Sequence, residues 1–125
     1  MGQSLGVQDG KLAPCPSSPN CVSTQATDEE KQMAPLSFKG SLAETRSVLK
    51  ELIEEYSDTK IETEEEQYIH ATFKTKLLRF TDDVEFYLDE DAEVVHFRSA
   101  SRTGYSDLGK NRKRMEELRK LYNEK

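Results

Sequence analysis

The stretch RSASRTGYSDLGKNRKR, residues 98–114, gathers arginines, hydroxyls and a helix start. The planar guanidinium groups of Arg98, Arg102 and Arg112 are suited to forking onto a carboxylate or phosphate. Ser99, Ser101 and Tyr105 add hydroxyl donors, and the first turn of a helix adds backbone donors. Asp107 opposes this chemistry, because it occupies the helix start and repels an anion. The arginines have a second, purely structural use. They can pair with Glu85, Asp83 and Asp107 and pin the turn before the last helix, and such networks are common outside functional sites.

The two cysteines lie in CPSSPNC, residues 15–21. The C-x5-C spacing is neither the C-x2-4-C of zinc modules nor the C-x-x-C of redox motifs. The remaining soft ligands, His70 and His96, fall on different strands and in different rows, so no metal and no cofactor is expected. A disulfide is geometrically feasible and would contribute ~2 kcal/mol through loop entropy, but a cytoplasmic setting disfavours it. As thiols, Cys15 and Cys21 need a base or a positive field for reactivity. Only the arginine stretch, brought close by folding, supplies one. The plain reading is a proline-stiffened loop whose small residues, Ser17, Ser18 and Asn20 among them, let backbone approach closely.

Other constellations have simpler explanations. Asp82, Asp83 and Glu85 resemble a paired-carboxylate site, yet hairpin pairing with Lys74 and Lys76 accounts for them. Glu64, Glu65 and Glu66 suit a solvated strand end or turn. Lys110, Arg112, Lys113 and Arg114 are basic, but Glu116 and Glu117 follow directly and no nucleic-acid motif is present, so a solvated helix face is expected rather than nucleic-acid binding. No P-loop, dinucleotide fingerprint or serine nucleophile elbow occurs.

These residues must be positioned by regular elements. Residues 41–57 read as a helix, opened by the Ser41/Glu44 capping box and striped by Leu42, Leu49, Leu52, Ile53 and Tyr56. Residues 60–101 read as antiparallel strands joined near Arg79–Asp82 and Glu90–Ala92. Ile69, Ala71, Phe73, Val84, Phe86, Leu88, Val95 and Phe97 share the apolar face. Pairing Phe73 with Phe86, and Phe86 with Phe97, aligns Lys74, Glu85 and Arg98 in one polar row. Thr72, Tyr87 and His96 form the next. Residues 106–123 read as a second helix, capped by Ser106 or Asp107 and striped by Leu108, Met115, Leu118 and Tyr122. Asn111 and Arg112 are polar on or beside that stripe. Gly109, placed in the first turn, suggests close approach of another group.

The fold expected is α+β: a three- or four-stranded antiparallel sheet with two helices packed on one face and a long irregular N-terminal arm. The chain of 125 residues fits one domain, with residues 1–9 a flexible N-terminus and 10–125 a single domain. Within it, residues 10–40 form the irregular arm, holding all four prolines. Its net charge is −6, distributed as +5 over residues 98–125 and −11 over residues 1–97, so a basic end sits on an acidic body. No apolar run reaches the ~20 residues of a membrane helix, and the start has no signal-peptide pattern. A monomeric, cytoplasmic domain without membrane contact is expected.

Two segments carry a family resemblance. They are Pro14-Cys15-Pro16-Ser17-Ser18-Pro19-Asn20-Cys21-Val22-Ser23, and Arg98-Ser99-Ala100-Ser101-Arg102 continuing through Gly104, Asp107, Gly109, Asn111, Arg112 and Arg114. With Asp82-Asp83-Val84-Glu85-Phe86 between them, the chain resembles the family known only as domain of unknown function 1499, from about Leu5 to Leu118. The family has bacterial and plastid members, and the resemblance implies no activity. It does imply that the cysteine loop and the arginine turn are paired signature elements. Lys31 is a departure, standing where many relatives carry His.

The function expected is therefore binding of an anionic or polar small ligand between the Cys15–Cys21 loop and the Arg98–Arg112 turn. The contacts would come from Cys15, Ser17, Ser18, Asn20, Cys21, Arg98, Ser99, Ser101, Arg102, Tyr105, Asp107, Asn111 and Arg112. The alternative is a cysteine-dependent enzyme or redox protein using Cys15 or Cys21. No protein partner is indicated.

Overall fold

The structure is a computed structural model, and it describes residues 5–16, 20–56, 58–75, 80–102 and 109–125. In chain order its elements are β1 (Val7–Gln8), β2 (Lys11–Leu12), β3 (Cys21–Ser23), β4 (Leu36–Ser37), α1 (Leu42–Glu55), β5 (Thr59–Glu65), β6 (Tyr68–Lys74), β7 (Thr81–Asp89), β8 (Val94–Ser101) and α2 (Lys110–Asn123). The α+β class holds, but the main sheet has six strands rather than three or four. Its path is β3-β8-β7-β6-β5, with β4 also on β8, and β1 pairs with β2 in a separate hairpin. The extra strands come from the arm. At two or three residues each they are too short to display an alternating pattern, so the arm reads as irregular in sequence.

Helix α1 begins where its capping box requires. The Glu44 backbone N–H donates to Ser41 Oγ at 3.1 Å, and the Ser41 N–H donates back to Glu44 Oε1 at 3.0 Å. Leu49, Leu52 and Ile53 are buried. Together with Met115, Leu118 and Tyr122 of α2 they cover Ile69, Ala71, Val84, Phe86, Leu88, Val95 and Phe97. Both helices thus share one face of the sheet, and the core lies between.

The β7–β8 register pairs Phe86 with Phe97, as the alternation predicts. The β6–β7 register does not pair Phe73 with Phe86. Phe73 faces Asp82, and Ile69 faces Phe86. The displacement is four residues, an even number, so every apolar side chain stays on the core face and periodicity cannot detect it. The polar rows change accordingly. His70, not Lys74, lines up with Glu85 and Arg98, and Tyr68, not Thr72, lines up with Tyr87 and His96. Lys74 faces Thr81, so the expected pairing of Lys74 with the acidic trio is replaced by other partners.

Helix α2 starts at Lys110 rather than at 106, and residues 106–108 lie outside those described. Gly109 precedes the helix with φ +78, a left-handed conformation that glycine adopts without strain. Among the described residues, nothing lies within 4 Å of a Cβ added there. The backbone dihedral, not close approach, is the reason for glycine.

The β1–β2 hairpin lies over the sheet face opposite the helices. Leu12 is buried. Gln25 clamps the hairpin from both directions: its Oε1 accepts from the Leu12 N–H at 2.8 Å, and its Nε2 donates to the Gly10 carbonyl at 3.1 Å. Residues 7–8, expected in a flexible N-terminus, pair with Lys11 and Leu12.

Candidate functional site

Strand period two divides the arginine-rich signature between opposite faces of the sheet. Arg98 points away from the helices, while Ser99 and Ser101 point toward α2. Residues expected in one site therefore belong to two buried polar clusters.

The outer cluster is built on a row across four strands. Ser23 faces Arg98, Arg98 faces Glu85, and Glu85 faces His70. Arg98 and Glu85 are 1% and 0% exposed, which is rare for charged side chains unless they are paired. Arg98 Nη1 lies 3.5 Å from Glu85 Oε1, and Arg98 Nη2 donates to the Pro14 carbonyl at 3.4 Å. Glu85 Oε2 accepts from Tyr68 Oη at 2.5 Å and from the Gly6 N–H at 2.7 Å. Burial pulls the Arg98 pKa below its ordinary value, against the opposing charges of Glu85 and Asp83. Burial, with the Glu85 hydrogen bond and charge, pushes the Tyr68 phenol up, so it stays a donor.

Asp83 completes this face. His70 Nε2 donates to Asp83 Oδ1 at 2.8 Å, and Arg102 donates through Nε and Nη2, both at 3.0 Å. Burial alone would raise the Asp83 pKa. The hydrogen bonds and charges of His70 and Arg102 outweigh it and bring the value down to about 2. An ionised carboxylate only accepts, so the His70 proton facing it sits on Nε2.

The inner cluster ties β3, β8 and α2 together. Ser99 Oγ donates to Asn111 Oδ1 at 2.5 Å, and Asn111 Nδ2 donates to the Asn20 carbonyl and to Ser101 Oγ, both at 3.1 Å. Asn20 Nδ2 donates to the Ser101 carbonyl at 3.1 Å. Arg114 reaches Asn111 Oδ1 at 2.9 Å and Asp82 Oδ2 at 2.7 Å, and Lys110 Nζ lies 3.1 Å from the same Asp82 oxygen. Asp82 and Asn111 are both fully buried. Such a network specifies how α2 docks rather than offering donors to a ligand.

The remaining predicted residues have separate places. Arg112 donates to the backbone carbonyls of Glu30 and Gln32 at 2.6 and 3.3 Å and holds the segment after β3. Cys15 and Cys21 form a disulfide with Cα atoms 5.7 Å apart. This corrects the reading of a thiol loop, since neither sulfur is a nucleophile in that form. Cys21 pairs with Ala100, so the cysteine loop and β8 are direct neighbours. Ser17, Ser18, Tyr105 and Asp107 lie outside the described residues. Lys31 meets β3 through its carbonyl, which accepts from the Ser23 N–H at 2.9 Å.

Asp82, Tyr68, His70 and Arg114 gain roles that the sequence alone did not assign. The signal for Asp82 was present: it falls at an apolar-phase position of β7, on the face that α2 covers. His96 lies apart from His70, with Nδ1 2.9 Å from Thr24 Oγ1. Among the described residues, no group of three or more His, Cys, Asp or Glu side chains is placed to hold a metal ion.

Two concavities flank these clusters. One of about 750 Å³ lies between residues 5–15, called the arm from here on, and the segment after β3, walled by Gly6, Gln8, Lys11, Pro14, Ser23 and Gln25 among others. The other, about 620 Å³, is an open cleft where Tyr56, Phe73 and Lys74 meet Lys110 and Arg114.

A family model described as protein of unknown function (DUF1499) matches residues 11–121, nearly the whole chain. No curated protein and no solved structure matches. Among the described residues, no helix is long and apolar enough to cross a membrane.

Proposed function

We propose that this chain, which belongs to the DUF1499 family, is a binding domain for a small polar ligand bearing an anionic group, held in the cavity beneath the arm. One observation carries the reading. Gly6 and Pro14, whose backbone groups contact Glu85 and Arg98, are also walls of the 750 Å³ cavity. A ligand there would lie against the outer cluster, and the volume suits a small molecule. Ser23, Gln8, Gln25 and Thr27 supply neutral hydrogen-bonding groups, and Lys11 supplies a cation. The 620 Å³ cleft is the weaker candidate for an anion, because Lys110 and Arg114 are already paired with Asp82.

The test is a thermal-shift panel of phosphate, citrate, glutamate and benzoate at millimolar concentration. A binder present at 100 times its Kd stabilises the folded state by about 2.7 kcal/mol, enough to raise Tm by several degrees. Lys11→Gln and Gln8→Ala, both at exposed positions, should abolish the shift while leaving the unliganded Tm in place. A flat panel, or a shift untouched by both variants, argues against this cavity.

A further inference from the structure

We propose that the Cys15–Cys21 disulfide is a reducible latch on the arm, opened by a dithiol reductant that attacks Cys15, and that its state governs access to the outer sheet face. The consequence for ligand entry rests on the binding reading above, whereas the latch does not.

The bond joins two unlike elements. Cys21 is 2% exposed and sits on β3, fixed by its ladder to β8. Cys15 is only partly buried, at the end of the arm. Among the described residues, the arm is otherwise tied to the sheet region by the Gly6 contact to Glu85, the Pro14 contact to Arg98, the Gln25 clamp and the burial of Leu12. A hairpin of two-residue strands has little stability of its own. Beneath it lie the buried Arg98–Glu85 pair and Tyr68, which become more accessible to water when the arm lifts.

The chemistry is ordinary exchange. A reductant thiolate attacks Sγ of Cys15, the less buried of the two cysteines. The Cys15–Cys21 bond breaks, and Cys21 leaves as a thiolate and takes up a proton. The reductant's second thiol then attacks the mixed disulfide, and Cys15 leaves as a thiolate and is protonated in turn. Two electrons pass to the chain, and the dithiol becomes a disulfide. Releasing a ring closed over a sequence separation of 6 increases arm opening roughly 30-fold by loop entropy.

The experiment is native-state trypsin cleavage of the full chain at Lys11, with and without dithiothreitol and with no ligand added. Cleavage after Lys11 should accelerate roughly 30-fold on reduction, while cleavage within α2 stays at its oxidised rate. Equal rates at Lys11 in both states would overturn the latch, and so would equal acceleration in α2, which reports general loosening. The Cys15→Ser/Cys21→Ser variant should be cut at the fast rate without reductant. A variant that stays slow overturns the proposal. Glutathione should form its adduct on Cys15, and an adduct on Cys21 instead refutes the assigned point of attack. A failed ligand screen leaves these outcomes unchanged, and failure of the latch leaves the ligand screen intact.

Discussion

Arg98 and Glu85 face each other across the β7–β8 ladder, both buried, with their nearest charged atoms 3.5 Å apart and the arm lying over them. Removing either partner takes from the other, a buried charge, the opposite charge that faces it across the ladder. Arg98→Met or Glu85→Leu alone should cost about 3–5 kcal/mol in urea unfolding. The double variant should cost clearly less than the sum of the two. Strict additivity would mean that the pair is not coupled.

Asp83 makes stability depend on acid. Its folded pKa of about 2 lies below the ordinary value of 3.8. The ionised form is therefore favoured by folding, and its contribution is complete above about pH 4. It is lost as pH falls from there through about 2, and amounts to roughly 2 kcal/mol. Asp83→Asn should flatten this part of the stability–pH curve. Arg102→Gln should move the Asp83 titration, followed by carboxyl NMR, upward.

Neighbouring polar residues at the start of α2 should differ sharply. Asn111→Ala strands several buried groups at once, because Asn111 contacts Ser99, Ser101, Asn20 and Arg114. A loss of about 3 kcal/mol is expected in chemical denaturation. Among the described residues, Arg112→Gln gives up exposed bonds to carbonyls and should cost under about 1 kcal/mol.

Gly109→Ala tests backbone strain, since φ is +78 and, among the described residues, no atom lies within 4 Å of an added Cβ. A loss of about 1 kcal/mol is expected, with Gly109→Asn milder. An Ala variant as stable as the parent would show that the turn adapts.

Local signals were legible where the interacting residues are close in sequence. The two residues of the Ser41/Glu44 box are three positions apart and set the start of α1. Only a short connection separates β7 from β8, and the Phe86–Phe97 register followed from it. The β6–β7 register did not follow, because alternation determines which face a side chain takes but not its opposite number. A four-residue displacement therefore left the pattern intact while exchanging Lys74 for His70 beside Glu85. The sequence places the start of α2 early, because Leu108 continues the apolar stripe, whereas the structure begins the helix after the left-handed Gly109.

The candidate site shows the same division. Sequence alone determined the α+β class, the core face, the family resemblance and the polar residues of the two signature segments. It could not decide how those residues are grouped. Ser99 and Ser101 point to one side of a strand and Arg98 to the other, and only the layers on each side give that alternation meaning. Helix α2 covers one side and closes the Asn111 network. The arm covers the other, tied by a disulfide whose loop sequence does not reveal what it holds down. These groupings depend on contacts between residues roughly 80 positions apart, such as Gly6 with Glu85 and Arg98 with Pro14. No local pattern encodes such contacts, because they form only when the whole chain has packed.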